Sequence, residues 1–478
     1  MNSRVVLFLS FLLVGSLALS PSGFFKFVAE KEGHRLSRNV SDYVQKEFWF
    51  DGQLIDHFNP EDTRTYKQRY FTIDTFWDPK DGPVILYICG EYECPGIPSN
   101  RLYPLVLAQK YKARVLALEH RFYGASQPFG DLSTEHLRYL TTDQALNDLA
   151  YFINWAQNDP VLNIGTERPW ITYGGSYPGA LSAWFRYKFP HLTAGAVASS
   201  AVINAIEDYT EYDHQLYLSA LKSGKWCAER IQEINAYVED QLYGSGANAT
   251  AFKKGYGADS LSNVEFLNYF ADSLAEPIQY GNRTGLCQLV ASDKFEERYQ
   301  AMKNFVMTTN DPSGYMVSTF KNDSYYPGRD AGRQWTWQVC SELGWFQNAY
   351  KNPKEAFRSQ RLTNEVSLDF CKKIFGDDVH PHTNIANLKR GGLKLDVSNL
   401  IMVNGDEDPW KWASRLVDYG QVVSYVADCD NCAHCVELYT PTDHDAKSLW
   451  WTRVKITHAV GKWFKRDSIF SEIETFLA

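Results

Sequence analysis

The segment WITYGGSYPGALSAWF, residues 170–185, changes from a buried strand pattern to a helical pattern at a single serine. The two glycines before Ser176 allow a sharp turn without a Cβ clash, and Pro178 suits the first turn of a helix. Such a turn can lift a serine hydroxyl away from a sheet, as in a nucleophile elbow. The motif is not the standard G-x-S-x-G, because the next glycine is Gly179, so a purely structural turn fits equally well.

The carboxylate of a catalytic triad is expected after a late strand of the sheet. A serine becomes a nucleophile when a histidine takes its proton, and a carboxylate orients that histidine. In α/β hydrolases the acid and then the histidine follow the serine along the chain. The strand pattern NLIMVNG at 399–405 is followed by DEDPW, which contains Asp406, Glu407 and Asp408. We favour Asp408, because Pro409 fixes the loop, and keep Asp406 as the alternative.

The histidine is expected after the next strand. The pattern QVVSYVADC at 421–429 is followed by DNCAHC, which contains His434. His444 is a rival, but it lies further from the strand end in a charged stretch that is typical of a solvated loop. Each candidate alone could be an ordinary loop residue. Three of them in the required order, each at a strand end, favour Ser176, Asp408 and His434 as a triad.

The segment CDNCAHC also has the residue types of a zinc site, with Cys429, Cys432, His434 and Cys435 as ligands. Structural zinc sites normally draw their ligands from two separated pairs, and exported proteins favour disulfides over thiolates. We therefore expect neither a metal nor a cofactor.

Two backbone N–H groups are expected to stabilise the oxyanion of an acyl-transfer reaction. One would come from Tyr177, directly after the nucleophile. The second would come from the loop after the strand pattern GPVILYIC at 82–89, where Gly90 and Glu91 are the candidates. Which of these two amides points correctly stays open.

Short strand patterns alternate with helical patterns along much of the chain. At 141–157, apolar residues at helical spacing follow a threonine cap and predict a helix. The alternation predicts an α/β protein with a parallel sheet that helices cover on both faces. The strand patterns lie at 82–89, 113–120, 170–174, 194–200, 399–405 and 421–429.

One long segment interrupts this alternation. Residues 208–390 have helical patterns and many aromatic residues, and strand patterns resume only at 399. The late strands are needed to finish the sheet, so the segment is predicted to be an insertion rather than an independent domain. The α/β domain would then comprise residues 46–207 and 391–478.

The N-terminus predicts export through the secretory pathway. Residues 1–20 combine Arg4 with an apolar run and small residues at its end, which is typical of a signal peptide. Residues 21–45 are largely polar and are predicted to form an arm or a pro-segment. No other segment approaches the ~18 apolar residues that a membrane span needs. We expect no membrane span once the signal peptide is removed.

Charge, sequons and cysteines agree with an exported enzyme. The 478 residues carry a net charge of -9 and no basic run, which argues against a nucleic-acid partner. Nine cysteines predict disulfides and at least one remaining thiol, and proximity along the chain suggests Cys89–Cys94, Cys227–Cys287 and Cys340–Cys371. Four sequons predict surface glycans, at Asn39, Asn248, Asn282 and Asn322.

A series of long motifs runs in order along the chain: FDGQLIDHF, LEHRFYGASQPFGDLS, YLTTDQALNDLA, GGSYPGALSAWFRYKFPHL, NGDEDPW and AHC. Together they resemble the serine peptidases that include lysosomal Pro-X carboxypeptidase, dipeptidyl peptidase II and the thymus-specific serine protease. The segment WTWQVCSELGWFQ at 335–347 is most similar to the thymus-specific subgroup. The early loop departs from the family's Asn-Glu-Gly core and reads CGEYECPG, which leaves the oxyanion donor open.

The resemblance implies an α/β-hydrolase fold with a mostly parallel sheet and a helical cap inserted before the late strands. It matches the family's nucleophile, acid and base to Ser176, Asp408 and His434. Members of the family cleave beside proline or small residues at a peptide end, often at acidic pH, in lysosomes or outside the cell. We therefore expect a secreted or lysosomal serine exopeptidase, of the Pro-X carboxypeptidase or dipeptidyl peptidase kind.

The sequence does not decide which end of the peptide substrate is cleaved. Glu342 is a candidate to bind an amino terminus, although a solvated helix glutamate fits the same pattern. Aromatic residues of the cap could form a flat pocket for a proline ring. The alternative functions are an esterase or lipase of the same fold and a non-catalytic hydrolase-like binding protein. A homodimer is compatible with the sequence, and the oligomeric state stays open.

Overall fold

The computed structural model of the protein describes residue 40 and residues 42–465. The predicted signal peptide, residues 21–39 and 41 of the predicted arm, and the sequon at Asn39 lie outside the described residues. None of the described helices is both long enough and apolar enough to cross a membrane.

A single eight-stranded sheet forms the centre of the fold, with the strand order β1-β2-β4-β3-β5-β6-β9-β10. The pairs β1–β2 and β2–β4 are antiparallel, and every later pair is parallel. All six strands that the sequence predicts are confirmed, as β3 to β6, β9 and β10. The strands are β1 (Gln45–Leu54), β2 (Thr65–Ile73), β3 (Val84–Ile88), β4 (Arg114–Leu118), β5 (Trp170–Gly175), β6 (Gly195–Ser199), β9 (Leu400–Gly405) and β10 (Val422–Ala427).

Helices cover both faces of the sheet, as the continuous apolar strand patterns predict. Helices α3 and α4 pack on the face that includes Val84 and Leu86. Helices α1 and α15 pack on the face that includes Ile85 and Tyr87. The fold is therefore the α/β-hydrolase architecture that the sequence implies. These helices are α1 (Tyr103–Tyr111), the short α2 (Thr134–Leu137), α3 (Thr142–Asn158), α4 (Tyr177–Lys188) and α15 (Lys447–Trp463).

Helix α3 confirms the predicted helix at 141–157. Thr141 is its N-cap, and the side chain accepts a hydrogen bond from the Gln144 N–H at 3.2 Å. This bond satisfies one of the N–H groups that a helix start leaves without a partner. Phe152 and Ile153 are fully buried on the face that meets the sheet.

Between β6 and β9 the chain is mostly helical, in agreement with the predicted insertion; its boundaries at 208 and 390 stay a prediction. Ser262 and Glu265 form a capping box that begins α8. The strands β7 (Ile206–Asp208) and β8 (Gly344–Phe346) pair in parallel. The helices are α5 (Glu211–Leu221), α6 (Lys225–Tyr243), α7 (Ala249–Lys254), α8 (Asn263–Gln279), α9 (Arg283–Leu289), α10 (Phe295–Thr309), α11 (Val317–Lys321), α12 (Gly332–Gln338), α13 (Asn364–Phe375) and α14 (Thr383–Arg390). We refer to α5 to α14 as the cap.

Disulfides fasten both the sheet and the cap. The three predicted pairs, Cys89–Cys94, Cys227–Cys287 and Cys340–Cys371, are all present. A fourth bond joins Cys429 to Cys432, and Cys435 is a buried free cysteine. The sequons at Asn248, Asn282 and Asn322 are exposed, which is compatible with the predicted glycans.

A buried ion pair joins the antiparallel edge of the sheet to α3. Arg121, shortly after β4, donates from Nε and Nη2 to the two carboxylate oxygens of Asp148 at 2.6 Å each. The Tyr66 hydroxyl donates to the same carboxylate at 3.0 Å, and His57 Nε2 lies 2.8 Å from it. Both charged side chains are almost completely buried. The pair therefore depends on its complete set of hydrogen bonds.

Replacing Asp148 by asparagine should lower the free energy of unfolding by about 3–5 kcal/mol, because Arg121 would stay buried without a counter-charge. Chemical denaturation monitored by circular dichroism measures this change. Glu229→Gln is the matched control, because its ion pair with Lys225 is exposed and should contribute little. Equal unfolding midpoints for Asp148→Asn and the wild type would contradict the argument.

Candidate active site

Ser176 stands at the turn between β5 and α4. Its backbone has φ 67° and ψ -129°, a conformation that is uncommon for a residue with a side chain. The Ser176 N–H donates to the Ser199 carbonyl on β6 at 2.9 Å, and the Ala180 N–H donates to the Ser176 carbonyl at 3.0 Å. Such strain in a well-anchored turn fits a nucleophile elbow better than an ordinary connection.

Two glycines permit the close approach of backbone around this turn. A Cβ atom at Gly174 would lie 2.2 Å from the carbonyl oxygen of Pro178. A Cβ atom at Gly90 would lie 2.5 Å from the Pro178 ring. Any larger residue would push the start of α4 away from the sheet. These contacts hold the loop after β3 next to Ser176.

Asp408 and His434 meet beyond the carboxyl ends of the neighbouring strands β9 and β10. His434 Nδ1 lies 3.0 Å from Asp408 Oδ1 and 2.9 Å from Oδ2, and both side chains are buried. Burial acts to lower the pKa of His434, but the Asp408 carboxylate and the neighbouring Cys435 together outweigh it, so the pKa is raised well above its usual value. With Nδ1 engaged, Nε2 is the nitrogen that would accept a proton from a serine hydroxyl.

The other two acids of the DEDPW loop have different partners. Asp406 Oδ2 accepts a hydrogen bond from Lys222 Nζ at 2.6 Å and is partly exposed. Glu407 is buried and pairs with Arg283 of the cap, with Arg283 Nε 2.9 Å from Oε2. Of the three acids, Asp408 is thus the one that pairs with the histidine, as the sequence argument favours.

Ser176 and His434 line one cavity of about 460 Å³ between the sheet and the cap. The aromatic side chains of this cavity form a large part of its wall, and the rings of Trp335 and Trp345 are stacked with their centroids 6.0 Å apart. Charged groups line it as well, on both the sheet side and the cap side. The aromatic residues are Tyr92, Tyr212, Tyr280, Tyr315, Trp335, Trp345 and Trp410, and the charged ones, besides His434, are Glu91, Arg101, Asp272 and Glu276.

The candidate oxyanion residues lie around the turn. Glu91 lines the cavity, and Gly90 lies beside it against the start of α4. The Tyr177 side chain is buried, and its hydroxyl accepts a hydrogen bond from Gln338 Nε2 at 2.9 Å. Burial raises the pKa of Glu91, and its Oε2 atom has no hydrogen-bond partner among the described residues. That the backbone N–H groups at these positions form an oxyanion hole stays a prediction.

Glu342 is not among the residues that line the cavity, although the sequence suggests it as a contact for a substrate terminus. Its Oε2 atom accepts hydrogen bonds from the N–H and the hydroxyl of Thr142, at 2.9 and 3.1 Å. Its other carboxylate oxygen pairs with Arg390. A carboxylate at the positive end of α3 stabilises that helix, so these contacts give Glu342 a structural role.

Gln279, at the end of α8, connects the cap to the loops that carry Asp408 and His434, and no sequence motif marks it. Its backbone carbonyl accepts a hydrogen bond from the His434 N–H at 2.9 Å. Its side-chain Oε1 accepts from Trp410 Nε1 at 3.0 Å and from the Tyr212 hydroxyl at 2.8 Å. Trp410 and Gln279 are 131 residues apart, and no local pattern signals a contact over that separation.

A disulfide and a backbone hydrogen bond hold the cysteine-rich loop that carries His434. The bond between Cys429 and Cys432 removes two of the four ligands that a zinc site in this segment would need. The Cys435 N–H donates to the Ser200 hydroxyl at 2.8 Å. Among residues 42–465, no group of three or more His, Cys, Asp or Glu side chains is arranged to hold a metal ion. His444 is exposed in the following loop.

A strained serine and a buried Asp–His pair beyond the ends of a mostly parallel sheet are typical of serine hydrolases with the α/β-hydrolase fold. The family model described as serine carboxypeptidase S28 matches residues 53–456, and the chain belongs to this family. The resemblance seen in the sequence is therefore confirmed. Membership supports serine peptidase activity, with peptides as substrates.

Three relatives illustrate the similarity. The probable serine protease EDA2 of Arabidopsis thaliana is 39% identical over 417 residues, covering 84% of this chain and 82% of that protein. The human thymus-specific serine protease is 30% identical over 449 residues, covering 87% and 86%. The lysosomal Pro-X carboxypeptidase of Mus musculus is 26% identical over 498 residues, covering 97% and 98%.

Replacing Asp408 by asparagine should lower kcat by about 10⁴, because the amide would hold His434 in the wrong tautomer. Asp406→Asn is the matched control and should retain near wild-type activity, since its partners are Lys222 and Lys411. Steady-state hydrolysis of a fluorogenic peptide measures both. Similar losses in the two variants would show that the acid has been assigned wrongly.

Stability should depend on pH through Glu437, which is fully buried in the turn after His434. Burial raises the pKa of Glu437 from 4.5 to about 7. The folded protein therefore keeps a proton that the unfolded chain releases as the pH rises from 4.5 to 7. Below that window the group is protonated in both states and does not affect stability, and as the pH rises across the window the folded state loses about 3 kcal/mol of stability.

Glu437→Gln should flatten this dependence, because the amide does not titrate. Thermal unfolding of both proteins at a series of pH values from 4.5 to 7 measures the effect. A fall in the wild-type unfolding temperature that persists unchanged in the variant would assign the pH dependence to other groups.

Proposed function

We propose that this protein is a serine peptidase in which Ser176 is the nucleophile, His434 the general base and Asp408 the acid that orients the histidine. The observation that carries the proposal is the pair of contacts at 2.9 and 3.0 Å between His434 Nδ1 and the Asp408 carboxylate. This pair lies beside a cavity that Ser176 also lines. Serine, acid and histidine follow one another in the order that α/β hydrolases use.

The reaction proceeds in two stages. His434 Nε2 takes the Ser176 proton while Oγ attacks the scissile carbonyl carbon, and backbone N–H groups near Tyr177 and Glu91 stabilise the oxyanion. The C–N bond then breaks as the imidazolium protonates the leaving amine, leaving an acyl-enzyme. Water, deprotonated by the same imidazole, attacks the ester. The imidazolium returns this proton to Ser176 Oγ as the acyl–oxygen bond breaks and the acid product leaves. The Asp408 carboxylate stabilises the imidazolium in both stages, in agreement with the raised pKa of His434.

The substrate is proposed to be a peptide cut near one of its ends, beside proline or a small residue. The walls of the cavity support this proposal, because the Trp335 and Trp345 rings offer flat apolar surfaces on which a proline ring can pack. The cap covers the cavity, and the insertion that contains it is proposed to comprise residues 208–390. A relative named lysosomal Pro-X carboxypeptidase matches nearly the whole chain.

The protein is proposed to act outside the cell or in lysosomes. The signal-peptide pattern of residues 1–20 and four disulfide bonds fit the secretory pathway. The exposed sequons at Asn248, Asn282 and Asn322 are proposed glycosylation sites. Burial raises the pKa of Glu437 and so makes the folded state more stable at acidic than at neutral pH.

A peptide with proline near both ends tests the proposal. Ser176→Ala should lower its turnover by about 10⁶ and leave peptide binding largely intact. Mass spectrometry from acidic to neutral pH identifies the products, after removal of any pro-segment. Ser260→Ala is the control, because that serine is exposed on the cap and should keep full activity. Equal cleavage by wild type and Ser176→Ala would remove Ser176 from the mechanism.

A further inference from the structure

Arg101 brings a positive charge to the catalytic cavity from the segment between β3 and α1. It lines the cavity together with Ser176 and His434. Its guanidinium carbon lies 6.0 Å from the centre of the Tyr439 ring. The preceding Asn100 carbonyl accepts a hydrogen bond from the Thr440 N–H at 3.1 Å. The Arg101 segment is thus fastened to the chain that follows His434.

Arg101 forms no ion pair with a carboxylate among the described residues. Its polar neighbours include the Cys435 thiol and the phenols of Tyr87 and Tyr92. The buried Glu91 carboxylate of the same cavity is near enough for the charge of Arg101 to act on it. Asp272, an acid on the cap side of the cavity, is by contrast paired with Arg358. An arginine keeps its charge at every physiological pH, and a partly enclosed guanidinium is stabilised by an anion in bidentate contact.

We infer that Arg101 binds the C-terminal carboxylate of the peptide substrate and thereby makes the enzyme a carboxypeptidase. This inference rests on the proposed function and adds which end of the peptide the enzyme recognises. His434 protonates the leaving amine, so the leaving group lies on the His434 side of the nucleophile. When a single residue leaves, its carboxylate lies within one residue length, ~3.5 Å, of that amine. Arg101 adjoins the ring of Tyr439, in the chain that follows His434.

The opposite specificity would use an acid for the amino terminus of the peptide. Glu276 of the cap and Glu91 after β3 line the cavity and are the candidates for that role. Burial raises the pKa of both carboxyl groups, which weakens their hold on an ammonium group. The guanidinium of Arg101 keeps its charge and is the stronger binding group.

Four versions of one peptide test the inference on the full-length secreted enzyme. The peptide has proline near both ends, and its C-terminus is a free acid or an amide while its N-terminus is free or acetylated. For the wild type, amidation should lower kcat/KM by about 10- to 100-fold, since it removes a charged hydrogen-bond partner. Acetylation of the N-terminus should change kcat/KM little.

The Arg101 variants separate recognition from a structural role. In Arg101→Gln the acid-to-amide ratio of kcat/KM should fall to near one, and Arg101→Lys should keep part of the preference because it keeps the charge but not the planar fork. A purely structural role would lower cleavage of acid and amide peptides alike and leave the ratio unchanged. Arg138→Gln is the matched control, because Arg138 is exposed and its described hydrogen-bond partner is the Tyr139 hydroxyl.

The outcomes distinguish the inference from the proposed function. A fluorophosphonate reacts with an activated serine, so labelling of Ser176 tests the triad without the use of a peptide substrate. Ser176-dependent cleavage that treats acid and amide peptides equally, or that requires a free N-terminus, overturns the role of Arg101 and leaves the peptidase proposal standing. Absence of both labelling and Ser176-dependent cleavage overturns the proposed function and this inference together.

Discussion

The strained turn at Ser176 is the constraint around which the candidate active site is arranged. A residue with a side chain is held at φ 67° because β6 accepts its N–H and because Gly174 and Gly90 let neighbouring backbone and the Pro178 ring approach closely. These contacts hold the strand, the helix and the loop after β3 against one another. That arrangement places the serine, the candidate oxyanion loop and Arg101 around the same cavity.

The histidine side of the site depends on the cap as much as on the sheet. Asp408 orients the ring of His434, whereas Gln279 of the cap holds its backbone. The buried pair between Arg283 and Glu407 attaches the cap to the loop that carries the acid. A buried ion pair is costly to break, so the cap acts as part of the scaffold of the candidate site and not only as a cover.

Features that depend on neighbouring residues can be predicted from the sequence. The strand patterns, the Thr141 cap of α3 and the choice of Asp408 over Asp406 all follow from periodicity, capping and the proline after the acid. Contacts between distant segments escape such rules. Glu342 pairs with the start of α3 and with Arg390, although its own segment gives no hint of either partner. Arg101 and Gln279 reach the cavity only because separate segments fold against it.

The hydrogen bond from the His434 N–H to the Gln279 carbonyl also limits how the enzyme can admit a substrate. A rigid swing of the cap would break this bond and move His434, the proposed general base, away from Ser176. While the bond is kept, a substrate enters through the existing opening of a cavity of about 460 Å³, a size typical of sites for small ligands. Size selection at the entrance would then exclude folded proteins and admit the loose ends of short chains, before any side chain is recognised.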